Sequence, residues 1–314
     1  MIAKRDRSNF SGTFFHRPPY QAGMKMKIVF AAIGLAACTS LCGHAQDADH
    51  SWSKNYQVNG KPTFTLETGD TALDIRSCGE CHEVRIHVEL TGRKLSDYRL
   101  EEGQSGDQVH FLFKELPHMG MHINWHNNSR AQVTVETPAQ LVLDARTADG
   151  GVSLNGLQGE IGLTTGDGDV SIDHVAGNLR IKTGDGRVNI SDASGALDAH
   201  TSDGNLNVDG TFHMLALHTS DGTLGVNLRE GSKLTEASTI QSSDGSVTVR
   251  VPHDFAVDLN VHTSDGHVEC ALPVTMNHFH SSGGESHELH GQINGGGTPL
   301  TIHTSDGNVK IEAL

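Results

Sequence analysis

Thr201-Ser202-Asp203-Gly204 is one of nine related phrases in the second half of this chain, and their spacing decides the fold. The Asp recurs at Asp149, Asp167, Asp185, Asp203, Asp221, Asp244, Asp265 and Asp306, and a degenerate copy, Ser281-Ser282-Gly283-Gly284, puts Gly283 in the same slot. Successive intervals are 18, 18, 18, 18, 23, 21, 18 and 23 residues. A regular period in this range marks a repeat architecture, in which each unit is too small to bury its own apolar face and stacks on its neighbours.

Alignment on the Asp shows which side chains share an environment, because alternate residues of an extended chain point to the same face. Four and six residues before it stand pairs such as Leu163 and Ile161, Ile181 and Leu179, Leu217 and Leu215, and Ile302 and Leu300. Three and five residues after it stand Val170 and Ile172, Val188 and Ile190, Leu206 and Val208, Val247 and Val249, and Val309 and Ile311. Each repeat therefore reads strand, Asp-Gly turn, strand, with one face of both strands turned to a common interior. A second corner falls ten residues after the Asp, at Gly159, Gly177, Gly195 and Gly231.

The Asp-Gly pair suggests a tight corner in which glycine takes positive φ and the Asp carboxylate accepts from the backbone just beyond it. Two topologies satisfy the pattern: an antiparallel meander with type I′ hairpins, or a flattened β-solenoid in which one 18-residue circuit is one coil. The solenoid is favoured, because it stacks equivalent residues directly. The expected fold is thus all-β: a solenoid of about nine short two-strand coils over residues 136–314, with an irregular β segment over 46–135 before it. Carboxylates stacked ~4.8 Å apart repel by about 0.9 kcal/mol per pair in a water-like dielectric, which a solvated ladder tolerates without a cation.

The stretch Gln132-Val133-Thr134-Val135-Glu136-Thr137-Pro138 through Leu141-Val142-Leu143-Asp144-Ala145-Arg146-Thr147-Ala148-Asp149-Gly150, followed by Leu157-Gln158-Gly159 and Thr164-Thr165-Gly166-Asp167-Gly168-Asp169-Val170, resembles the bacterial putative-adhesin domain of unknown function. The resemblance covers about residues 130–314 and more weakly 60–130. It implies an exported β-solenoid of the cell envelope and brings no catalytic residues with it.

The chain has 314 residues, 36 glycines, 5% aromatics and a formal net charge of −15, which fits a narrow-cored β molecule and argues against a nucleic-acid partner. Lys25 and Lys27 precede an apolar run from Ile28 to Leu41, followed by the small-residue stretch Gly43-His44-Ala45, so residues 24–45 read as an export signal cleaved before Gln46. Residues 1–23 do not resemble part of that signal and read as an upstream extension ahead of a start at Met24 or Met26. Leu35-Ala36-Ala37-Cys38 offers the other outcome, a lipid anchor at Cys38. The destination is then the periplasm, the outer envelope or the medium, and the partner an unidentified envelope or extracellular component.

Chemistry-bearing residues are few. Cys78-Gly79-Glu80-Cys81-His82 spells the haem-attachment pattern, with His82 as proximal ligand, while in an oxidising compartment Cys78 and Cys81 are equally a disulfide candidate. His118, Met121, His122 and His126 gather imidazole and thioether ligands suited to copper. Cys270 falls on an inward slot as a free thiol. His200, His218, His262 and His303 each precede a Thr-Ser-Asp-Gly turn; consecutive residues in extended chain alternate in direction, so these form no Ser-His-Asp triad but an outward, pH-sensitive stripe. The calcium roll is disfavoured because in Gly166-Asp167-Gly168-Asp169-Val170 valine stands where an Asp ligand is needed. The leading reading is a non-enzymatic interaction or scaffold module without a cofactor; the alternative is a periplasmic haem- or metal-binding redox protein.

Overall fold

The computed structural model describes residues 49–117, 129–276 and 287–314. Every described element is a strand except the 3-10 turn Leu95–Asp97. The strands that flank each Asp-Gly turn pair with their counterparts in neighbouring repeats and not with each other. Ile161 lies beside Leu179 in one parallel pair, and Val170 lies beside Val188 in another. The meander is thereby excluded, and two parallel stacks face each other across one apolar interior.

The first stack runs Gln108–Glu115, Thr63–Thr68, Gln140–Arg146, Gln158–Thr164, Ala176–Lys182, then the second halves of Val188–His200 and Leu206–Thr219, then Ser238–Ser242, Pro299–Thr304 and Val257–Thr263. The second runs Arg130–Thr137, Ala72–Ser77, Val152–Asn155, Val170–Asp173, the first halves of Val188–His200 and Leu206–Thr219, then Leu224–Leu228, Val247–Val251, Val309–Ala313 and Val268–Cys270. Antiparallel strands close the ends, among them Tyr98–Ser105 against Gln108–Glu115 and Glu288–Ile293 against Val257–Thr263.

Stacking order departs from chain order at both ends. The last repeat, Pro299–Ala313, is inserted between the repeat at 238–251 and the repeat at 257–270. At the other end, Thr63–Ser77 lies between the strands of 108–137 and the repeat at 140–155. The division expected at residue 135 is therefore not a structural boundary: Phe64, Leu66, Leu73 and Ile75 continue the same buried rows as Leu143, Ala145, Val152 and Leu154. Trp52 stacks on Phe111 at 5.4 Å, and Tyr98 stacks on Phe113 at 4.4 Å, so aromatics close this end of the core. The signal, the upstream extension and the Cys38 anchor fall outside the described residues.

The corner chemistry also differs from expectation. The turn glycines do not take positive φ; that conformation belongs to the second corner, at Gly159 (132°), Gly177 (119°), Gly195 (121°) and Gly231 (87°). Glycine is required at the Asp-Gly turn because of close stacking. A Cβ on Gly204 would lie 2.1 Å from the Gly186 carbonyl oxygen, and one on Gly222 would lie 2.0 Å from that of Gly204. Nor do the Asp carboxylates hold the turn. That task falls to the buried hydroxyl two residues earlier: Thr201 Oγ1 donates to the Gly184 carbonyl at 2.8 Å and accepts from its own Gly204 amide at 3.2 Å. Thr165, Thr183, Thr219, Thr304 and Thr263 repeat the donation, Ser242 makes it at 3.5 Å, and together they form a continuous internal ladder.

Candidate functional site

The parallel register fixes what the outer faces display. Three residues before the Asp, the row along the first stack reads Arg146, Thr164, Lys182, His200, His218, Gln241, His303 and His262. His200 and His218 stack with ring centroids 4.6 Å apart, and His303 stacks on His262 at 5.3 Å although 41 residues separate them in sequence. The second contact exists only because the last repeat is inserted out of order. Partial burial, followed by the neighbouring His200, holds the His218 pKa below that of free histidine, against a smaller upward pull from its hydrogen bond to Gln241. His262 Nδ1 lies 3.2 Å from Glu288 Oε1.

Beside this row run the eight turn carboxylates, Asp149, Asp167, Asp185, Asp203, Asp221, Asp244, Asp265 and Asp306, all exposed and without a side-chain hydrogen bond to any described residue. A solvated carboxylate row beside an imidazole row makes an edge whose negative charge falls towards zero as the imidazoles take up protons. No group of three or more His, Cys, Asp or Glu among the described residues is arranged to hold a metal ion.

The second corner carries a polar knot that the sequence did not disclose. His174 and Asp192 are non-glycine residues at φ 53° and 51°. His174 Nδ1 contacts Asp173 Oδ2 at 2.7 Å and its Nε2 contacts Asp192 Oδ2 at 2.9 Å. The Arg229 guanidinium pairs with both Asp192 and Asp209, and Asn155 donates to Asp173 at 3.2 Å. The hydrogen bond and charge of Asp173 raise the His174 pKa. Asp192 sits where the register of Val188–His200 against Leu206–Thr219 shifts, which is why no periodic signal marks it.

Cys78 and Cys81 are joined by a disulfide, with Cα atoms 5.8 Å apart, in the exposed turn between Ala72–Ser77 and Glu83–Thr91. Haem attachment needs both as thiols, so this arrangement offers no thioether chemistry, and His82 is exposed beside it. Cys270 is a free thiol on an inward slot of the last layer; it is only half-buried, and burial raises its pKa. His118, Met121, His122 and His126 lie outside the described residues.

The sequence of residues 54–312 matches the model of the Toastrack DUF4097 family. The chain belongs to that family. Among solved structures, it is similar to a "putative lipid binding protein" from Parabacteroides distasonis (12% identity, TM-score 0.43, covering 84% of this chain and 97% of that one). It is also similar to a "putative adhesin" from Parabacteroides merdae (11% identity, TM-score 0.41, 84% and 96% covered). A "putative cell adhesion protein" from Clostridium sporogenes is 13% identical, with a TM-score of 0.29 and 85% and 100% covered. No curated protein matches the chain.

Proposed function

We propose that this chain is an exported cell-envelope protein whose repeats form a β-solenoid of about nine coils acting as a non-enzymatic interaction or scaffold module. The observation that carries the reading is the register of the outer face. His200 on His218 and His303 on His262 stand in one row beside exposed carboxylates, so recognition groups repeat at strand spacing along one edge. Such an array suits an extended partner that contacts several layers at once. It does not suit a small substrate, which needs groups converging on one point. The apolar run after Lys25 and Lys27 supports export, and the Cys78–Cys81 disulfide is consistent with an oxidising compartment. The partner class is an envelope or extracellular component.

The test is co-sedimentation of the purified protein with isolated peptidoglycan sacculi and with envelope-lipid vesicles, at pH 5.5 and pH 7.5. Binding to one of these that weakens when His200, His218, His262 and His303 are replaced together by Asn supports the reading. Binding to neither, or binding indifferent to those four residues, overturns the assignment to this edge.

A further inference from the structure

The out-of-order last repeat brings together a group of side chains that no single segment carries. On the outer face of the first stack, Gln241, His303, His262 and Glu288 stand in one row across four strands. His303 is beside His262 in the parallel pair, and Glu288 is beside His262 in the antiparallel one. The two half-buried rings lie parallel within 1°, with centroids 5.3 Å apart.

Glu288 sets the chemistry of this pair. His262 Nδ1 lies 3.2 Å from Glu288 Oε1, and because a carboxylate only accepts, the neutral ring carries its proton on Nδ1 and keeps the lone pair on Nε2. A carboxylate that takes one ring N–H in this way fixes the tautomer and strengthens the other nitrogen as a metal ligand. The second oxygen of the same carboxylate lies 4.0 Å from His290 Nε2. The exposed turn carboxylates Asp265 and Asp306, in the same two layers, add negative charge that draws cations to this edge. His200 and His218 provide the contrast: their rings stack at 4.6 Å, but their neighbours in the row are Lys182 and Gln241, and neither is a carboxylate. Adjacent strands root two such side chains about 4.8 Å apart. An ion bound at about 2.1 Å spans nitrogens up to about 4.2 Å apart, so rotation of the two rings closes the gap without movement of the backbone.

We propose that His262 and His303 are the two protein ligands of an open site for a divalent transition ion of the zinc and copper class, with Glu288 positioning His262 and solvent completing the shell. The inference does not rest on the interaction reading, which is tested without added metal. The test is calorimetric titration of the full chain with Zn²⁺. His262→Asn and His303→Asn should each remove one equivalent of saturable binding or weaken it at least tenfold, whereas the double variant His200→Asn, His218→Asn should retain that equivalent. Glu288→Gln should keep the stoichiometry, weaken the affinity about tenfold, and shift the ring nitrogen resonances of His262, which report its tautomer. All these positions face outward, so the variants should melt as the wild type does. No saturable Zn²⁺ binding, binding unchanged by His262→Asn or His303→Asn, or unchanged affinity in Glu288→Gln would overturn the proposal.

Discussion

The carbonyl oxygen of Gly186 stands 2.1 Å from the point where a β-carbon on Gly204 would be placed. Backbone lies directly over backbone at every Asp-Gly turn from Gly168 to Gly266, so a single methyl group must displace a whole layer. Gly204→Ala should therefore lower stability by about 1–3 kcal/mol, the range for overpacking. Gly151→Ala is the control: its nearest neighbour outside the adjacent chain is the Asp169 carbonyl oxygen at 3.6 Å, an ordinary contact, and its cost should be small. Chemical denaturation of the two variants distinguishes stacking from a general intolerance of alanine in turns.

Thr201→Val should cost about 1–3 kcal/mol, because it strands the buried Gly204 amide, while the Gly184 carbonyl keeps the Ser202 amide as its donor. The same change at Thr68 removes a hydroxyl that satisfies nothing and should be neutral or mildly stabilising. Equal losses in the two variants would mean that the ladder contributes no more than its methyl groups.

Asp203 should tolerate both Asn and Ala within about 0.5 kcal/mol, since its carboxylate is solvated and holds no part of the turn. The expectation from sequence alone, that Asp anchors the turn backbone, gives way to the threonine hydroxyl. A rise of many degrees in melting temperature on adding calcium would contradict a cation-free ladder.

Two histidines should respond to pH in opposite directions. The His218 pKa is depressed, so the unfolded chain takes up its proton first; the associated stability is complete above about pH 6.5 and falls as pH drops through that value. The His174 pKa is raised, so its contribution is complete below about pH 6.5 and is lost as pH rises through the folded value. NMR titration of the ring protons should place the two midpoints on either side of free histidine. His218→Gln should flatten the acid limb of the melting-temperature profile and leave the alkaline limb unchanged.

Truncation after residue 296 removes an internal layer and not the tip of the stack. Ser238–Ser242 and Val257–Thr263 both lose their partner Pro299–Thr304, and Val247–Val251 and Val268–Cys270 both lose Val309–Ala313. The shortened chain should therefore lose hydrogen-exchange protection across 238–270, whereas an end layer would expose only one neighbour.

The repeat period, the inward slots and the histidine row were written in the sequence, because side-chain alternation and an 18-residue circuit place like residues in like environments whatever the rest of the chain does. Even the first repeat was legible by spacing: Leu66 and Phe64 stand four and six residues before Asp70, and Leu73 and Ile75 three and five after it. Thr71 in place of the glycine, and an interval of 79 residues from Asp70 to Asp149, take it out of the period. Only the tertiary structure decided the order of the layers. Each layer offers its neighbours the same apolar rows and the same backbone edge, so a local pattern cannot distinguish sequential stacking from the insertion of Pro299–Ala313 between two earlier repeats. The same holds for the turn. The glycine was visible, but whether it serves a positive φ or a carbonyl 2.1 Å away depends on what lies beneath it, and that is set by contacts between layers and not by the residues of one.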